Sequence, residues 1–344
     1  MTTATPIPLR PVPPAPGEPI VHAAFCAASA AARRQGDDAV FETERLFPQD
    51  RLARALLVKA SATSGKSTTV GFGAELIQTV LQDFLGSLAP LSAAAEIMKR
   101  GIQVPPVHGI AVWPRRTTAP AAGNWVAEDA PIPVLAFTTG TLTIMPKKMA
   151  AIIAISRELA LRSAGLPVVE AMLREDVAMA LDSGYFSTTA VSDSAHAGLL
   201  NGVTVTGITS VLDAMSELAT LVSAGGSGQV VFITDPALAA TFPIRAPDVA
   251  VTVLPSLAVP AGRIIAVDPL SLVHMVGDID ISASEEAVAH MSTVPLEIVD
   301  DAGTKADPIR SMYQTAFVSI RLLIQIGFGT RRAGAVAYAD NIGW

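Results

Sequence analysis

One run of alternating residues near the C-terminal end constrains the fold most. From Ala316 through Val318 to Ile326, an apolar side chain occupies every second position. Extended back to Met312, the run covers roughly 15 residues, and a β-strand of that length, at ~3.3 Å per residue, reaches about 50 Å. Ordinary strands have about 5–6 residues. The pattern therefore predicts an elongated subunit rather than a compact enzyme.

The composition is low in charge. Of 344 residues, 16% are charged, 5% are aromatic and 50% are hydrophobic, whereas about 25% charged residues is typical. The apolar content supports a large core and excludes global disorder. Two explanations of the low charge stay open: other copies of the chain cover much of the surface, or a GC-rich genome favours Ala, Gly and Pro.

Charge and cysteine usage exclude several classes of protein. The net charge of -7 argues against a dedicated nucleic-acid binder. The single Cys26 excludes an intrachain disulfide and a multi-cysteine metal site. Residues 1–19 are Pro-rich and lack the apolar stretch of a signal peptide. The longest uncharged run, residues 194–212, is too polar for a membrane span, so we expect a soluble protein that contacts no membrane.

Periodicity divides the chain into segments of different character. In order, they are an extended segment (1–19), short helices (20–60), a loop (61–73), helices at 74–85 and 90–99, a two-stranded β excursion (102–146) with its tip near 123–133, a strand-to-helix stretch (147–165), a longer helix opened by Pro167, and an α/β unit (196–282). Within the α/β unit we expect a helix at 211–223, a helix capped by Asp235, and strands at 229–234, 249–254 and 263–268.

The motifs that suggest chemistry are weak. Residues 60–67, ASATSGKS, match a relaxed phosphate loop, but the upstream segment is predicted as an amphipathic helix where that loop needs a buried strand. Residues 278–284 have alternating Asp and Ser as in a calcium loop, but the positions for Gly and the bidentate Glu hold Ala283 and Ala289. Strand alternation explains them better.

Other polar residues have ordinary structural explanations. The five histidines show no metal-ligand spacing, and Glu286 and His290, four residues apart, are interpreted as a surface pair. Asp176 falls in the apolar stripe of the helix after Pro167, which indicates a capped or paired carboxylate rather than a catalytic one. The basic pairs are scattered, at 33–34, 115–116, 147–148 and 331–332. They are interpreted as solvated surface, with inter-subunit salt bridges or a DNA-facing wall as the alternative.

Several motifs occur together in a fixed order. The sequence has WVAEDAPIP at 125–133, Phe137, LTIMPKKMAA at 142–151 and ISREL at 155–159, followed by GDIDISAS at 277–284 and RRAGAVA at 331–337. This order resembles the major capsid proteins of tailed bacteriophages with the Hong Kong 97 type of fold. The resemblance covers about residues 74–344, and residues 1–73 have no such match.

The resemblance implies an α+β, HK97-like capsid fold. Its expected parts are an N-terminal arm (1–73), a peripheral domain (74–102, 147–195 with the long spine helix, and 283–325 with long β-strands), an extended β E-loop (103–146), an α/β axial domain (196–282) and a C-terminal segment returning to the axial domain (326–344). The arm is expected to lie over neighbouring copies or to include a remnant of a scaffolding segment. Because it shows little apolar periodicity, we expect its burial to come from those copies.

The same resemblance implies a structural function. We expect pentamers and hexamers that close into an icosahedral phage head, assembled in the host cytoplasm around double-stranded DNA. Expected partners are other copies of the chain and portal, scaffolding and decoration proteins, and no cofactor, metal or catalytic residue is expected. Candidate inter-subunit contacts at the E-loop tip are Trp125, Glu128, Asp129, Pro131 and Pro133, and candidate basic contacts are Arg115, Arg116, Arg331 and Arg332. The alternatives are a cellular nanocompartment shell of similar fold and, much less favoured by the sequence, a phosphate-loop enzyme.

Overall fold

The computed structural model describes residues 18–33, 38–61, 86–104, 111–116, 125–126, 128, 138–161, 165–224, 226–292 and 308–344. The helices in chain order are α1 (Glu18–Arg33), α2 (Ala39–Leu46), α3 (Arg51–Ser61), α4 (Ala93–Arg100), α5 (Arg157–Leu161), α6 (Gly165–Tyr185), α7 (Val211–Ser223), α8 (Pro236–Arg245) and α9 (Met312–Thr315). The strands are β1 (Ile102–Val104), β2 (Ala111–Arg116), β3 (Thr139–Ile144), β4 (Lys147–Ser156), β5 (Val205–Thr206), β6 (Val231–Thr234), β7 (Thr252–Pro255), β8 (Ile264–Val267), β9 (Leu272–Ser284), β10 (Val288–His290), β11 (Ile309–Ser311), β12 (Phe317–Thr330) and β13 (Val336–Ala339).

The chain forms two compact units. By residue number, unit 1 takes 1–84, 152–173 and 279–322, and unit 2 takes 85–151, 174–278 and 323–344. The mixed content of helices and strands agrees with the expected α+β class.

Helix α1 is the central helix of unit 1. It packs against α2, α3 and α5. Its buried side chains lie on almost every side of the helix, and they are Pro19, Ile20, Val21, Ala23, Ala24, Phe25, Cys26, Ala27, Ala28, Ser29 and Ala32. A helix that is apolar on all sides belongs in a core, because no face of it prefers water.

Ion pairs and hydrogen bonds compensate the buried carboxylates of this helical core. Glu42 is buried and pairs with Arg45 at 2.6 Å and with Arg33 at 3.2 Å. Asp50 accepts the backbone N–H groups of Leu52 and Ala53 at the start of α3. The buried Asp50 and Glu42 carboxylates are thus compensated by partners from the same unit.

The expectation that the N-terminal segment buries its surface against neighbouring copies is wrong for helix α1, residues 18–33. Most of α1 is inaccessible to solvent within the single chain. The sequence hid this because small Ala side chains on every side of a helix give no apolar stripe to detect. Residues 1–17 and 62–73 of the expected arm lie outside the described residues, and the division of the chain into an arm and domains stays a prediction.

Arg157 connects three segments of unit 1. Its Nε donates to the Ala32 carbonyl at the end of α1 at 2.5 Å, and it faces the buried Glu285 carboxylate at 3.6 Å. Its backbone N–H donates to the Ala316 carbonyl at 2.9 Å. Ala316 itself has φ 53°, in the left-handed region. This backbone conformation is energetically unfavourable for a residue that has a Cβ. The arginine therefore fixes the end of α1 to the turn that precedes β12.

The long alternating strand is present but shifted. Strand β12 has 14 residues, and Val318, Ile320, Leu322, Ile324 and Ile326 are all buried. It begins at Phe317 rather than at Met312, because Ser311 caps a helical turn (α9) and accepts the Gln314 N–H. β12 lies between β9 and β4 in a sheet of order β1-β9-β12-β4. β9, with 13 residues, contains the calcium-like positions 278–284, as the strand interpretation predicted.

Unit 2 contains a five-stranded sheet. Its order is β5-β13-β8-β6-β7, with β13 antiparallel to β8 and parallel to β5. Helix α7 packs on β8 and β13, and α8 packs on β7. The predicted helix 211–223 is confirmed with both bounds, and Asp235 caps α8 by accepting the Leu238 N–H at 3.1 Å. The three strands predicted here also form, as β6, β7 and β8.

Two interpretations of polar residues are corrected. Glu286 and His290 are not a helical pair, because residues 285–290 form a bend and strand β10. Asp176 does not lie in the buried stripe of α6, since its side chain is exposed while Leu173 and Val177 are buried. Partial burial raises the pKa of Asp176, helped by the charge of Glu175. The phosphate-loop positions 62–67 lie outside the described residues, and the segment before them is helix α3, as predicted.

Candidate interaction surface

The β excursion is a two-stranded antiparallel hairpin. Strand β2 pairs with β3 from Ala111 opposite Ile144 to Arg116 opposite Thr139. This confirms the two-stranded excursion predicted from the alternating residues of 139–144. Both strands belong to unit 2.

The root of the hairpin is anchored in unit 2. Ile144 is buried with Val273 and Met275 of β9, and Trp113 and Leu142 pack against the same cluster. Glycines of β12 permit this close approach, since a Cβ at Gly327 would lie 2.7 Å from Ile144 Cγ2 and one at Gly329 would lie 2.8 Å from Leu142 Cδ1. Side-chain packing therefore holds the root of the hairpin in place.

Apolar side chains that do not join the root cluster lie in solvent, one on the strand itself and one farther along the chain. Val112 on β2 is 66% exposed, and Trp125 is fully exposed. Glu128 is also exposed. The other candidate tip residues, Asp129, Pro131 and Pro133, lie outside the described residues. A fully exposed Trp is unusual in a monomer and marks a surface available for contact.

The candidate arginines belong to two separate places in the chain. Arg115 is half-buried on β2 opposite Gly140, and Arg116 ends the same strand. Arg331 and Arg332 are half-buried in the turn after β12, where the Arg331 N–H donates to the Ser271 carbonyl at 2.9 Å. Burial lowers the pKa of Arg331, and the charge of Arg332 lowers it further. No described contact joins the two pairs.

The buried polar clusters of unit 2 have structural roles. Asp182 on α6 accepts hydrogen bonds from Ser92 Oγ at 2.5 Å, from the Ala93 and Ala94 N–H groups, and from Ser256 Oγ at 2.6 Å. It thus supports the N-terminal cap of α4, which Ser92 provides. Every oxygen of Asp182 is occupied, so it has no free capacity for catalysis.

Asp268 fixes the turn before β6 in the same way. It accepts hydrogen bonds from the Ser227 N–H and Oγ and from Ser271 Oγ, all at 2.7 Å. Burial alone would raise the pKa of Asp268, but these hydrogen bonds and one from the Leu270 N–H lower it overall. Gly226 is required beside it, because a Cβ there would lie 2.5 Å from Asp268 Oδ2.

A buried Tyr–His pair joins the end of α6 to β9. Tyr185 Oη is 2.7 Å from His274 Nε2, and both side chains are buried. Burial lowers the pKa of His274 to about 3 and raises that of Tyr185 far above its usual range. Both groups are therefore neutral at pH 7, and neither is accessible to a substrate.

Nothing in the described residues forms a metal or membrane site. No group of three or more His, Cys, Asp and Glu side chains there is placed to share a metal ion. Likewise, no helix of the described ranges has the length and hydropathy needed to cross a bilayer. What the described part of unit 2 offers is exposed apolar surface.

Sequence reasoning missed one such surface on the five-stranded sheet. Ile244 at the end of α8 and Leu257 after β7 are each 77% exposed. A signal was present, since residues 249–262 contain no charged residue. A strand-like uncharged run of this kind is usually assigned to the core, so the sequence alone did not distinguish core from interface.

Comparisons with known proteins give a family and a set of distant structures. Residues 79–242 match the model of the phage capsid family. No curated protein sequence matches the chain. Similar solved structures include one from Mycobacterium phage Adephagia, with 12% identity, TM-score 0.49, and 72% of this chain and 90% of that chain covered. A structure from Gordonia phage Cozz has 14% identity and TM-score 0.47, covering 72% and 86%. The capsid of a native GTA particle has 13% identity and TM-score 0.46, covering 73% and 91%.

Proposed function

Residues 79–242 match the phage capsid family, and from this premise we propose that the chain assembles as pentamers and hexamers into an icosahedral head around double-stranded DNA. It is a structural protein of a capsid shell, and the family match over residues 79–242 carries that conclusion. The number of copies in a ring, the symmetry of the shell and its contents are the parts that we propose.

The surface chemistry of the chain supports assembly. Only 16% of the residues are charged, and the exposed Trp125 and Val112 place apolar area on a hairpin whose root is anchored in a buried cluster. Contact with another copy would remove this area from water, at about 25 cal/mol gained for each Å² of apolar surface buried. Trp125 and Glu128 are therefore our first candidates for inter-subunit contact, followed by Arg115 and Arg116.

We propose that DNA is enclosed rather than bound at a site. The net charge of -7 opposes tight general binding to phosphates, which requires clustered Lys and Arg. Portal, scaffolding and decoration proteins are proposed as further partners, the virion as the location and the host cytoplasm as the place of assembly. We propose no catalytic role: the buried Asp182, Asp268 and His274 are occupied by structural hydrogen bonds or inaccessible.

Imaging of the purified protein tests this proposal. The full chain is expressed alone, purified and examined by negative-stain electron microscopy across protein and salt concentrations. We expect closed shells, or rings of five and six copies. A monomer under every condition would contradict the proposal, and closed shells that never package DNA in infected cells would favour a nanocompartment instead.

A further inference from the structure

A tight turn with Asn201 and Gly202 at its centre lies in unit 2, between helix α6 and strand β5. The Val203 N–H donates to the Leu200 carbonyl at 3.2 Å, which places Asn201 and Gly202 at the two central positions. Gly202 has φ 74°, a value that the second central residue of a type II turn requires and that glycine adopts without strain. Both central residues are exposed, so water and hydroxide reach the turn.

The peptide group that joins Asn201 to Gly202 has no hydrogen-bond partner in the described part of the chain. The Asn201 carbonyl accepts no hydrogen bond there, and the Gly202 N–H donates none. Most backbone groups of a folded protein are paired, and rotation of a paired peptide group breaks its bonds. Here rotation breaks none, and glycine permits it because glycine adopts both signs of φ. The Gly202 nitrogen can therefore turn toward the Asn201 side chain.

One hydrogen bond holds the Asn201 side chain. Its Nδ2 donates to the Thr188 carbonyl at 2.9 Å, across 13 positions of the chain. The bond therefore ties together the two ends of the loop that follows helix α6. Only an amide can make this bond, because a carboxylate accepts hydrogen bonds and donates none. Loss of the amide nitrogen would release the two ends of the loop from each other.

Asn341 provides a comparison within the same chain. It is also exposed, but the next residue is the buried Ile342, whose N–H donates to the Gly262 carbonyl at 2.8 Å. That peptide nitrogen is held by a hydrogen bond and is crowded by a branched side chain. The two exposed asparagines therefore differ in the nitrogen that follows them, which is free after Asn201 and occupied after Asn341.

We propose that Asn201 is a site of spontaneous modification, at which the folded subunit converts this thermally labile asparagine to aspartate and isoaspartate. Hydroxide removes the proton of the Gly202 N–H, and the nitrogen attacks Cγ of Asn201. The Cγ–Nδ2 bond breaks, and Nδ2 takes up a proton from water and leaves as ammonia. A five-membered succinimide ring remains, the hydroxide is regenerated, and no atom is oxidised or reduced.

Water then opens the ring at one of its two carbonyl carbons. Addition at Cγ breaks the bond from Cγ to the Gly202 nitrogen and gives aspartate. Addition at the main-chain carbonyl carbon breaks the peptide bond and leaves the chain running through Cγ, which is isoaspartate. Each product adds one negative charge to the net charge of -7 and no longer donates to the Thr188 carbonyl. We therefore expect the loop between Thr188 and Asn201 to be held less firmly in the modified subunit.

Peptide mass spectrometry of aged subunits tests the proposal. The full wild-type chain is incubated as folded subunits in mildly alkaline buffer and digested with pepsin in acid, where hydroxide is scarce and the reaction is slow. The deamidated fraction at Asn201 should exceed that at Asn341 at least about tenfold, and a protein isoaspartyl methyltransferase should label the Asn201 peptide. Equal fractions at the two sites would overturn the proposal. An unmodified Asn201 would also overturn it if a synthetic peptide of residues 196–206 is modified under the same conditions.

Two glycine substitutions test the role of the turn. Gly202→Ala and Gly207→Ala each add a Cβ that meets no atom within 4 Å, but only the first restricts the attacking nitrogen. We expect Gly202→Ala to slow the modification of Asn201 at least about tenfold and Gly207→Ala to leave it unchanged, with thermal unfolding showing that both variants fold. Equal rates in the two folded variants would overturn the proposal.

The modification takes place in the single subunit, so its outcome is separate from that of the proposed function. Subunits that form no ring or shell can still deamidate at Asn201, and shells can form from subunits that do not. Amide exchange of residues 188–201 should become faster in the aged wild-type sample than in the fresh one. Unchanged exchange in a sample that mass spectrometry shows to be modified would overturn the expected loosening of the loop.

Discussion

Helix α1 and the β2–β3 hairpin differ in where their apolar side chains lie. The helix buries most of its side chains within its own chain, whereas among the described residues of the hairpin the root is buried and Val112 and Trp125 lie in solvent. From sequence, both segments were expected to gain their burial from neighbouring copies. The difference teaches that surface left for a partner is identified by exposure after folding, and not by a segment's position outside the predicted domains.

The largest effect is expected from one substitution made at both places. Val21→Asp places a carboxylate at a position of α1 that is 1% exposed, and an unpaired buried charge should destabilise the subunit by more than about 4 kcal/mol. Val112→Asp, on the exposed side of the hairpin, should change subunit stability by less than about 0.5 kcal/mol but weaken assembly. Denaturant unfolding and mass photometry measure the two quantities. Similar stabilities of the two variants would contradict the difference in burial between α1 and the hairpin.

The second effect is a loss of subunit stability in acid, caused by His274 in the strand beneath the hairpin. His274 lies in β9 between Val273 and Met275, which pack under the hairpin root. Its pKa is lowered to about 3 in the fold by burial, from 6.5, so the unfolded chain binds the proton first as pH falls. Stability is complete above about pH 6.5 and falls toward pH 3, with about 2 kcal/mol lost at pH 5 from this group.

Replacement of the histidine provides the control for acid. His274→Gln should lower stability at pH 7 by removing a well-packed ring, but the variant should lose less stability between pH 7 and pH 5 than the wild-type chain. Some acid sensitivity will remain, because burial also lowers the pKa of His196. An unchanged slope of unfolding free energy against pH would contradict the assignment to His274.

Removing the anchor of α1 should have an effect of similar size. Arg157→Ala deletes the hydrogen bond to the Ala32 carbonyl and leaves the buried Glu285 without this partner, which should cost about 1–3 kcal/mol. Arg115→Ala, at a half-buried position on the hairpin, should cost less than about 0.5 kcal/mol. Chemical denaturation of the unassembled subunits compares the two. A larger loss at Arg115 would show that the hairpin, and not α1, depends on its arginine.

The smallest effect comes from the turn that Arg157 holds. Ala316 has φ 53°, so Ala316→Gly should relieve a left-handed conformation and stabilise the subunit by about 0.5–1 kcal/mol. Ala180→Gly, within helix α6, should destabilise it by a similar amount, since glycine weakens a helix interior. Thermal unfolding should therefore shift in opposite directions, and a shift of the same sign for both would contradict the turn geometry.

Local patterns predicted local structure well. The bounds of α7, the Asp235 cap, the 139–144 strand and the alternation of β12 follow from neighbouring residues, and the structure has them all. The start of β12 was missed because residues 312–315, which continue the alternating pattern backwards, form a helical turn. The Ser311 cap begins this turn and the left-handed Ala316 ends it. No periodicity signal contains that information.

Long-range contacts account for the rest. The Asp182 cluster joins side chains 74 to 90 positions apart, and the ion pairs around Glu42 bring α1 and α2 together. For the candidate contacts, the sequence named Trp125 and Glu128, which the structure shows exposed, but it could not find Leu257 or Ile244. An uncharged run has the same pattern whether its strand lies inside a sheet or at its edge.

Hydrogen exchange tests the central claim most directly. Amide exchange is measured on the unassembled subunit and on assembled particles of the same preparation. The account predicts that α1 is equally protected in both states, and that the segment from β2 to β3, including Trp125, gains protection only on assembly. If α1 gained its protection on assembly, or the hairpin exchanged equally fast in both states, the account would be contradicted.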